Sequence, residues 1–191
     1  MGDGQLVLWD VERGRIFAAV SPGSGRGGSL WVMTTDAAER AADDAEVYRR
    51  LAPELIRFAT GLVGGVDAGD VLSSAVVKAL ASPSWPRVTN HRAYLHRAVF
   101  NEAHTWLRRA AQRDIREARA SVADRWELPA LRPEVREAVG KLSVRQRAVI
   151  VLTYWADLDP PTVAERLGIS EGSVRRHLAR ARAHLREVLD A

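Results

Sequence analysis

Arginines surround a narrow apolar stripe near the C-terminus, where their type and spacing suit them to nucleic-acid binding. A guanidinium group is a planar donor that fits phosphate oxygens and pairs bidentately with guanine edges. On a helical wheel, Arg176 and Arg180 point away from the stripe. Three more arginines lie on its flanks: Arg175, Arg182 and Arg186. The pattern predicts a DNA-binding surface.

Two helices joined by a tight turn are expected to position these arginines over residues 159–189. Asp159 can cap the first helix, and Pro160 follows where no backbone donor is missed. Gly168 falls where the chain can turn with positive φ at little steric cost, and Ser170 can cap the second helix. The inward residues of the second helix are Val174, Leu178, Ala181, Leu185 and Val188. This spacing predicts a helix-turn-helix.

Arginine content alone is weak evidence, because only two of the 28 basic residues are lysines, a bias that we attribute to genomic base composition. The alternative for this segment is an amphipathic helical hairpin whose arginines are merely solvated. The combined positions of Ala164, Gly168 and the apolar stripe favour DNA binding over that alternative.

Composition argues against several other classes of function. The chain has no cysteine, so it cannot form a disulfide, a thiol nucleophile or a Cys-based zinc site. A nuclease needs clustered histidines and carboxylates, whereas His91, His96 and His104 lack acidic partners at ligand spacing. We therefore expect no enzyme activity, no metal and no cofactor. We also expect a cytoplasmic location, since the sequence has no signal peptide and no apolar run long enough to cross a bilayer.

Hydrophobic periodicity predicts an all-α protein of two small helical domains joined by a flexible linker. The expected boundaries are a flexible extension over 1–35, a helical domain over 36–110, a linker over 111–131 and the helix-turn-helix domain over 132–191. Met33 is an alternative start of translation. The alternative to a start at Met33 is that residues 1–35 form a genuine N-terminal tail with a short strand at 6–9. Residues 21–29 of this extension are expected to be flexible.

Helices are expected at five places before the helix-turn-helix. Asp67 is expected to cap the second of them, and the linker's first part can extend the third. Ser143 and Gln146 form a capping-box pattern at the start of the fifth. The expected spans are 46–63, 70–81, 91–109, 133–139 and 144–155.

Charge is segregated along the chain. Residues 36–70 contain eight acidic and four basic side chains, whereas 87–119 contain eight basic and three acidic ones. An acidic face followed by a basic one indicates two different partners, only one of them a nucleic acid.

Several segments resemble the extracytoplasmic-function (ECF) branch of bacterial sigma factors. Residues 142–149 look like the opening helix of that family's region four, 163–176 resemble its helix-turn-helix, and 179–185 its closing segment. Residues 67–72 resemble the acidic entry to the second helix of region two. Residues 94–101 and 107–109 resemble the helix that engages promoter DNA. The resemblance covers about residues 46–189.

The resemblance implies a factor that directs promoter recognition and DNA opening, with core RNA polymerase and promoter DNA as partners and an anti-sigma factor as a further candidate. The residues implied for reading the upstream element as duplex are Ser173, Arg175, Arg176, Arg180, Arg182 and Arg186. Those implied for holding the opened downstream element are Trp85, Tyr94, Arg97, Asn101, Arg108 and Arg109. The alternative for Trp85 is a loop aromatic folded over the core. Those implied for polymerase binding are Asp67, Asp70 and Lys78.

Three positions depart from the family pattern: Ser73 replaces a usual Gln, Tyr94 a usual Trp, and Thr105 a usual Asp. Ser73 reaches less far than Gln, which leaves open how tightly polymerase is held. Two alternative functions also stay open. One is a conventional helix-turn-helix regulator that dimerises through the other helices, and the other is an inactive sigma-like adaptor that keeps the polymerase-binding face.

Overall fold

The computed structural model describes residues 5–10, 15–20, 35–117 and 133–189. Near the N-terminus, β1 (Gln5–Asp10) pairs antiparallel with β2 (Arg15–Val20), and Gln5 lies opposite Val20. The strand expected as the alternative at 6–9 lies within β1. Residues 21–29, where flexibility is predicted, and Met33 lie outside the described residues.

Three helices pack against one another to form the N-terminal unit. They are α1 (Thr35–Val63), α2 (Gly65–Leu80) and α3 (His91–Glu117). A 3-10 turn at Trp85–Arg87 lies between α2 and α3. The helix α1 begins well before the predicted position 46, and α3 continues into the segment predicted as a linker. Gly64, with φ of 90°, precedes α2, so Asp67 lies in its first turn and the predicted capping role of Asp67 is wrong.

The C-terminal unit contains α4 (Pro133–Gly140), α5 (Val144–Ile150), a π-helical turn (Val151–Trp155), α6 (Pro160–Leu167) and α7 (Glu171–Leu189). The capping box is confirmed, since the Ser143 hydroxyl accepts from the Gln146 N–H at 3.4 Å and the Gln146 side chain accepts from the Ser143 N–H at 2.9 Å. The π-helical turn interrupts the helix predicted to reach position 155. It leaves Tyr154 and Trp155 about half exposed.

The two units pack against each other, α3 against α6 and α1 against α5, and one hydrophobic cluster runs through both. Gly61 allows this close approach, because a Cβ there would lie only 2.7 Å from a methyl group of Val151. Among the described side chains, every core residue lies on a helix or on a turn between helices, which confirms the predicted all-α class.

Arg147 is buried where α1 meets the C-terminal unit. Its guanidinium donates to the carbonyl of Leu62 at the end of α1, and to the carbonyls of Gly140 and Leu142 in the α4–α5 turn. Burial lowers the pKa of Arg147 to about 10. The side chain therefore links both units through backbone acceptors.

A second polar contact crosses the boundary at Arg166 of α6. Its Nη1 donates to the carboxylate of Glu54 and to Nε2 of His96, 3.2 Å away. Glu54 belongs to α1 and His96 to α3, whereas Arg166 comes from the C-terminal unit. Both His96 and Arg166 are buried. We call these three residues the boundary cluster.

Hydrogen bonding fixes the protonation state of His96. Its Nδ1 lies 2.8 Å from the carbonyl of Arg92, so it carries the proton and donates, while Nε2 accepts from Arg166. Burial, with the nearby Arg166 cation, outweighs the favourable charge of Glu54 and lowers the pKa of His96 to about 4. The imidazole is therefore neutral in the folded chain at neutral pH.

This depressed pKa predicts acid sensitivity. The unfolded chain protonates His96 near pH 6.5, whereas the folded chain resists protonation down to about pH 4. The contribution of His96 to the free energy of unfolding is therefore fully present above pH 6.5 and is lost as the pH falls towards 4. From pH 7.5 to pH 5 we expect His96 to cost about 2 kcal/mol of unfolding free energy. Urea denaturation of the chain and of His96→Gln at both pH values measures this.

The matched control is His104→Gln, since His104 is exposed on the same helix. The His104→Gln variant should show the same drop in unfolding free energy between about pH 7.5 and pH 5 as the unsubstituted chain. In His96→Gln this drop should be smaller by about 2 kcal/mol. Equal pH dependence in the two variants would contradict the assignment.

Candidate nucleic-acid interface

The helix-turn-helix has the caps that its sequence predicts. The Asp159 carboxylate accepts from the Thr162 N–H at 3.1 Å, and Gly168 ends α6 with φ of 66°. Ser170 accepts from the Ser173 N–H at 3.2 Å and so caps α7. Val163 and Val174 pack between α6 and α7 in the core. The turn therefore holds α7 rigidly with its first residues outward.

The outer face of α7 carries a polar network at its N-terminal end. The Ser173 hydroxyl lies 3.0 Å from that of Ser170 and accepts from Arg176 at 3.1 Å. Arg176 and Arg180 are exposed on this face. The structure thus brings together Ser173, Arg176 and Arg180, three of the residues implied for the upstream element.

Two further residues, not predicted from the sequence, belong to the same face. Burial lowers the pKa of His177, and the positive charges of Arg145, Arg180 and Arg176 lower it further. Arg145 is exposed on α5, so a second helix adds charge to the basic face. The wheel of a single helix cannot identify Arg145, because its neighbourhood depends on how α5 packs on α7.

Three arginines of α7 lie on its other flank. Arg175 pairs with Glu171 one turn earlier, at 3.2 Å. The guanidinium of Arg182 lies 5.6 Å from the ring centre of Tyr154, and its Nε donates to the tyrosine hydroxyl at 2.6 Å. Arg186 lines an apolar groove of about 450 Å³ beside Trp155. This flank is separate from the face that carries Arg176 and Arg180.

The second candidate site is a groove of about 340 Å³ between α2 and α3. Tyr94, Arg97 and Asn101 line one wall, at intervals of three and four residues along α3. Asn101 is exposed and its carboxamide offers both a donor and an acceptor. Arg108 and Arg109 are exposed further along the same helix. The groove therefore brings together three of the residues implied for the downstream element.

Lys78 lies in this groove. Its Nζ is 2.6 Å from a carboxylate oxygen of Glu102, which also accepts from Ser74 at 3.0 Å. Burial opposes ionisation of Glu102, but the hydrogen bonds from Lys78 and Ser74 outweigh it and lower its pKa. Asp70 is eight residues earlier on α2, about 12 Å along the helix. The structure does not bring Lys78 together with Asp67 and Asp70.

The N-terminal end of α2 presents a mixed acidic and apolar surface. Asp70 is exposed, and Val66 is 73% exposed, the largest value among the exposed large hydrophobic residues of the described chain. Contiguous apolar patches rimmed by polar residues mark contact surfaces, whereas a single exposed valine does not by itself define one. Val66 escaped the sequence prediction, because periodicity cannot distinguish an exposed valine at a helix start from an inward one.

Trp85 is not available as a free stacking surface. It is only 5% exposed, and its indole N–H donates to Asp44 at 2.6 Å. His91 packs on the indole at 4.7 Å between ring centres, and Tyr94 meets it edge-on at 5.8 Å. This burial favours the alternative of a loop aromatic folded over the core, and the implied role of Trp85 in the base-binding pocket stays a prediction. The N-terminal extension of α1, which supplies Asp44, is the physical reason.

Arg97 contacts the C-terminal unit. Its Nη2 donates to the carbonyl of Glu165 at 3.4 Å, near the end of α6. The guanidinium also lies against Gly168, where a Cβ would be 2.8 Å from Nε. In this arrangement one of the residues implied for phosphate binding stabilises the end of a protein helix.

Within the described parts of the chain, no helix is both long and apolar enough to span a membrane. The described residues also contain no group of three or more histidines and carboxylates arranged to hold a metal ion.

The fold is that of a two-unit helical protein with a helix-turn-helix, and known proteins match the chain over most of its length. A family model described as Sigma-70, region 4 matches residues 132–185. The RNA polymerase sigma-E factor of Streptomyces antibioticus is 33% identical over 152 residues, covering 76% of this chain and 83% of that protein. The ECF RNA polymerase sigma factor SigM of Mycobacterium tuberculosis is 33% identical over 126 residues, 64% of each chain. The chain belongs to the ECF sigma factors of RNA polymerase.

Solved structures agree. The sigma factor RpoE of Bartonella quintana, in complex with the anti-sigma factor NepR, superposes with a TM-score of 0.58 at 22% identity, over 78% of this chain and 98% of that one. CnrH, in complex with the cytosolic domain of CnrY, superposes with a TM-score of 0.51 at 26% identity, over 80% of this chain and 89% of that one. These likenesses extend through both helical units.

The burial of Trp85 generates a prediction that separates a core role from a base-binding role. Trp85→Phe removes the indole N–H and leaves Asp44 without that donor, so we expect a loss of about 1–2 kcal/mol in unfolding free energy. The control is Trp155→Phe at a half-exposed position, with an expected change within about 0.5 kcal/mol. Unchanged stability in Trp85→Phe would contradict the core role.

Proposed function

We propose that the chain recruits core RNA polymerase to promoters through two DNA contacts of different chemistry. The observation that carries the proposal is the outward-facing basic surface of α7 on a capped helix-turn-helix, in a chain whose relatives match through both units. A conventional regulator that shares only the helix-turn-helix does not predict a match of this extent.

The first contact reads duplex DNA in the major groove. Ser173, Arg176 and Arg180 lie nearest the bases, because they share the face of α7 opposite its packed stripe. Arg175, Arg182 and Arg186 contact phosphates from the flank. Arg145 adds a phosphate contact from α5.

The second contact holds the opened strand. Removing a base from the DNA stack costs a few kcal/mol. Stacking and hydrogen bonding of that base in a protein pocket offset this cost. The groove between α2 and α3 supplies Asn101 for hydrogen bonding and Tyr94 as the aromatic wall, while Arg97, Arg108 and Arg109 follow the backbone. Trp85 supports Tyr94 from the core and does not itself contact the base.

Polymerase contacts the N-terminal end of α2. Asp67, Asp70 and Val66 form an acidic and apolar surface that complements a basic, partly apolar partner. Lys78 acts in the groove with Glu102 and not on this surface. An anti-sigma factor is a further partner, and the protein works as an initiation factor without catalysis of its own.

In vitro transcription with core polymerase and a genomic promoter library tests the function. Initiation that depends on the chain supports it. Core association without initiation would identify the inactive adaptor, and binding to a palindrome without polymerase would identify the conventional regulator.

Arg176→Ala tests upstream readout. If Arg176 contacts a base, binding to upstream-element duplex weakens by about 1–3 kcal/mol and selectivity among sequences falls. Fluorescence anisotropy on selected and scrambled duplexes measures both. The control is Arg57→Ala, an exposed arginine on α1. An equal loss on every sequence would instead identify a phosphate contact.

Asn101→Ala tests the groove. We expect a loss of about 1–3 kcal/mol in the stability of the opened promoter complex, because the held base loses both hydrogen-bonding groups. Permanganate reactivity of unpaired thymines measures opening. Upstream duplex binding should stay unchanged, and normal opening on a linear template would remove Asn101 from the proposed pocket.

A further inference from the structure

Two serines and an arginine form a connected series of hydrogen bonds at the start of α7. The Ser170 hydroxyl accepts from the Ser173 N–H at 3.2 Å and lies 3.0 Å from the Ser173 hydroxyl. The Ser173 hydroxyl in turn accepts from a terminal nitrogen of Arg176 at 3.1 Å. We call these three residues the α7 network. It joins the cap of α7 to a guanidinium on the candidate DNA-reading face.

The direction of the hydrogen bond between the two hydroxyls does not affect the hold on Arg176. A serine hydroxyl has one donor and two acceptor positions. If Ser173 donates to Ser170, both lone pairs of Ser173 remain for the guanidinium. If Ser170 donates to Ser173, the second lone pair of Ser173 still accepts from Arg176. The network is therefore consistent in either arrangement.

Ser170 is the fixed end of the α7 network. Its carbonyl accepts from the backbone N–H groups of Ser173 at 2.9 Å and Val174 at 3.1 Å, which anchors the residue at the start of the helix. A serine inside a helix can otherwise turn its hydroxyl to the carbonyl four residues earlier. The contact with Ser170 competes with that arrangement and keeps the Ser173 hydroxyl within reach of Arg176.

Arg176 is held by a neutral partner, whereas its neighbour Arg175 is paired with the Glu171 carboxylate at 3.2 Å. A carboxylate offsets the positive charge of a guanidinium, but a hydroxyl leaves that charge unchanged. A guanidinium has five N–H donors, so one contact with Ser173 leaves the others for a base edge. The network thus orients Arg176 without neutralising it.

Orientation before binding favours readout of a base. Immobilising a long, flexible side chain opposes binding, and a side chain that is already oriented loses less freedom when DNA arrives. Arg180 lies one turn further along the same exposed face and is not part of the α7 network. It is therefore an internal comparison for Arg176.

From these contacts we propose that Ser170 is a positioning residue for upstream readout: it orients the Ser173 hydroxyl, which holds the Arg176 guanidinium in its base-reading direction before DNA arrives. Ser170 itself contacts no base. The inference rests on the proposed function, because it assigns a further residue to the upstream contact of α7.

Ser170→Gly tests the inference. Glycine is accepted at a helix N-cap with little loss of helix stability, so the hydroxyl is removed while the helix start remains. Fluorescence anisotropy is measured with the chain in complex with core polymerase, on upstream-element duplexes that each carry one changed base pair. Arg176→Ala identifies the base pair that Arg176 reads. We expect Ser170→Gly to lower discrimination at that pair about fivefold, the equivalent of one net hydrogen bond, and at no other pair.

The double variant Ser170→Gly with Arg176→Ala separates positioning from a direct contact. If Ser170 acts through Arg176, the double variant discriminates no worse than Arg176→Ala alone. Ser170→Thr keeps a capping hydroxyl and should restore the discrimination of the unsubstituted chain. The matched control is Asp159→Gly, which removes the capping side chain of α6 and should leave discrimination at every base pair unchanged.

Side-chain NMR relaxation of the free chain gives a second readout that needs no DNA. The order parameter of the Arg176 guanidinium should exceed that of Arg180, and it should fall to the value of Arg180 in Ser170→Gly. An order parameter of Arg176 that is the same with and without the Ser170 hydroxyl would overturn the positioning role.

The outcomes are distinguishable. A further loss of discrimination in the double variant overturns the inference alone, because Ser170 would then act without Arg176. An equal loss by Ser170→Gly on every duplex also overturns it, since this result identifies a phosphate contact or a general effect of the cap. If Arg176→Ala lowers discrimination at no base pair, the proposed upstream contact fails and the inference fails with it.

Discussion

The burial of Arg166 is the interaction on which the arrangement of the chain depends. A charged group inside a protein needs a partner, and the partners of Arg166 are a carboxylate on α1 and an imidazole on α3, both in the other unit. The surrounding side chains exclude water and keep His96 neutral, so that its Nε2 accepts from the guanidinium. Neither unit can supply both halves of this contact, and the two are therefore matched to each other.

Local features of the fold could be predicted from the sequence. The caps at Asp159, Ser143 and Gly168 depend on residues within four positions, so their spacing carries the whole signal. Trp85 shows where this fails, because its hydrogen-bond partner is 41 positions away on α1. The candidate sites, too, could be predicted only in part. A helical wheel gives the directions of the arginines of α7. A family resemblance gives no distances, however, and it grouped Lys78 with Asp67 and Asp70, which lie two or more turns earlier on α2.

The two proposed DNA surfaces differ in how far they depend on arginine. Arginine is abundant on α7. The caps fix the orientation of this helix, so its outer face is a defined surface and not merely part of a basic protein. In the groove, Asn101 and Tyr94 lie on α3 with Glu102, whose carboxylate is already satisfied by Lys78 and Ser74 of α2. The groove therefore presents polar groups whose internal pairing is settled before any nucleotide arrives.

Gly168 joins two requirements that usually fall on different residues. Its positive φ suits glycine and, to a lesser degree, asparagine, so the turn by itself tolerates either. The Arg97 guanidinium, however, occupies the space of a β-carbon. An asparagine here would preserve the turn while displacing the Arg97 guanidinium, so the packing of the two units, and not the turn alone, requires glycine at position 168.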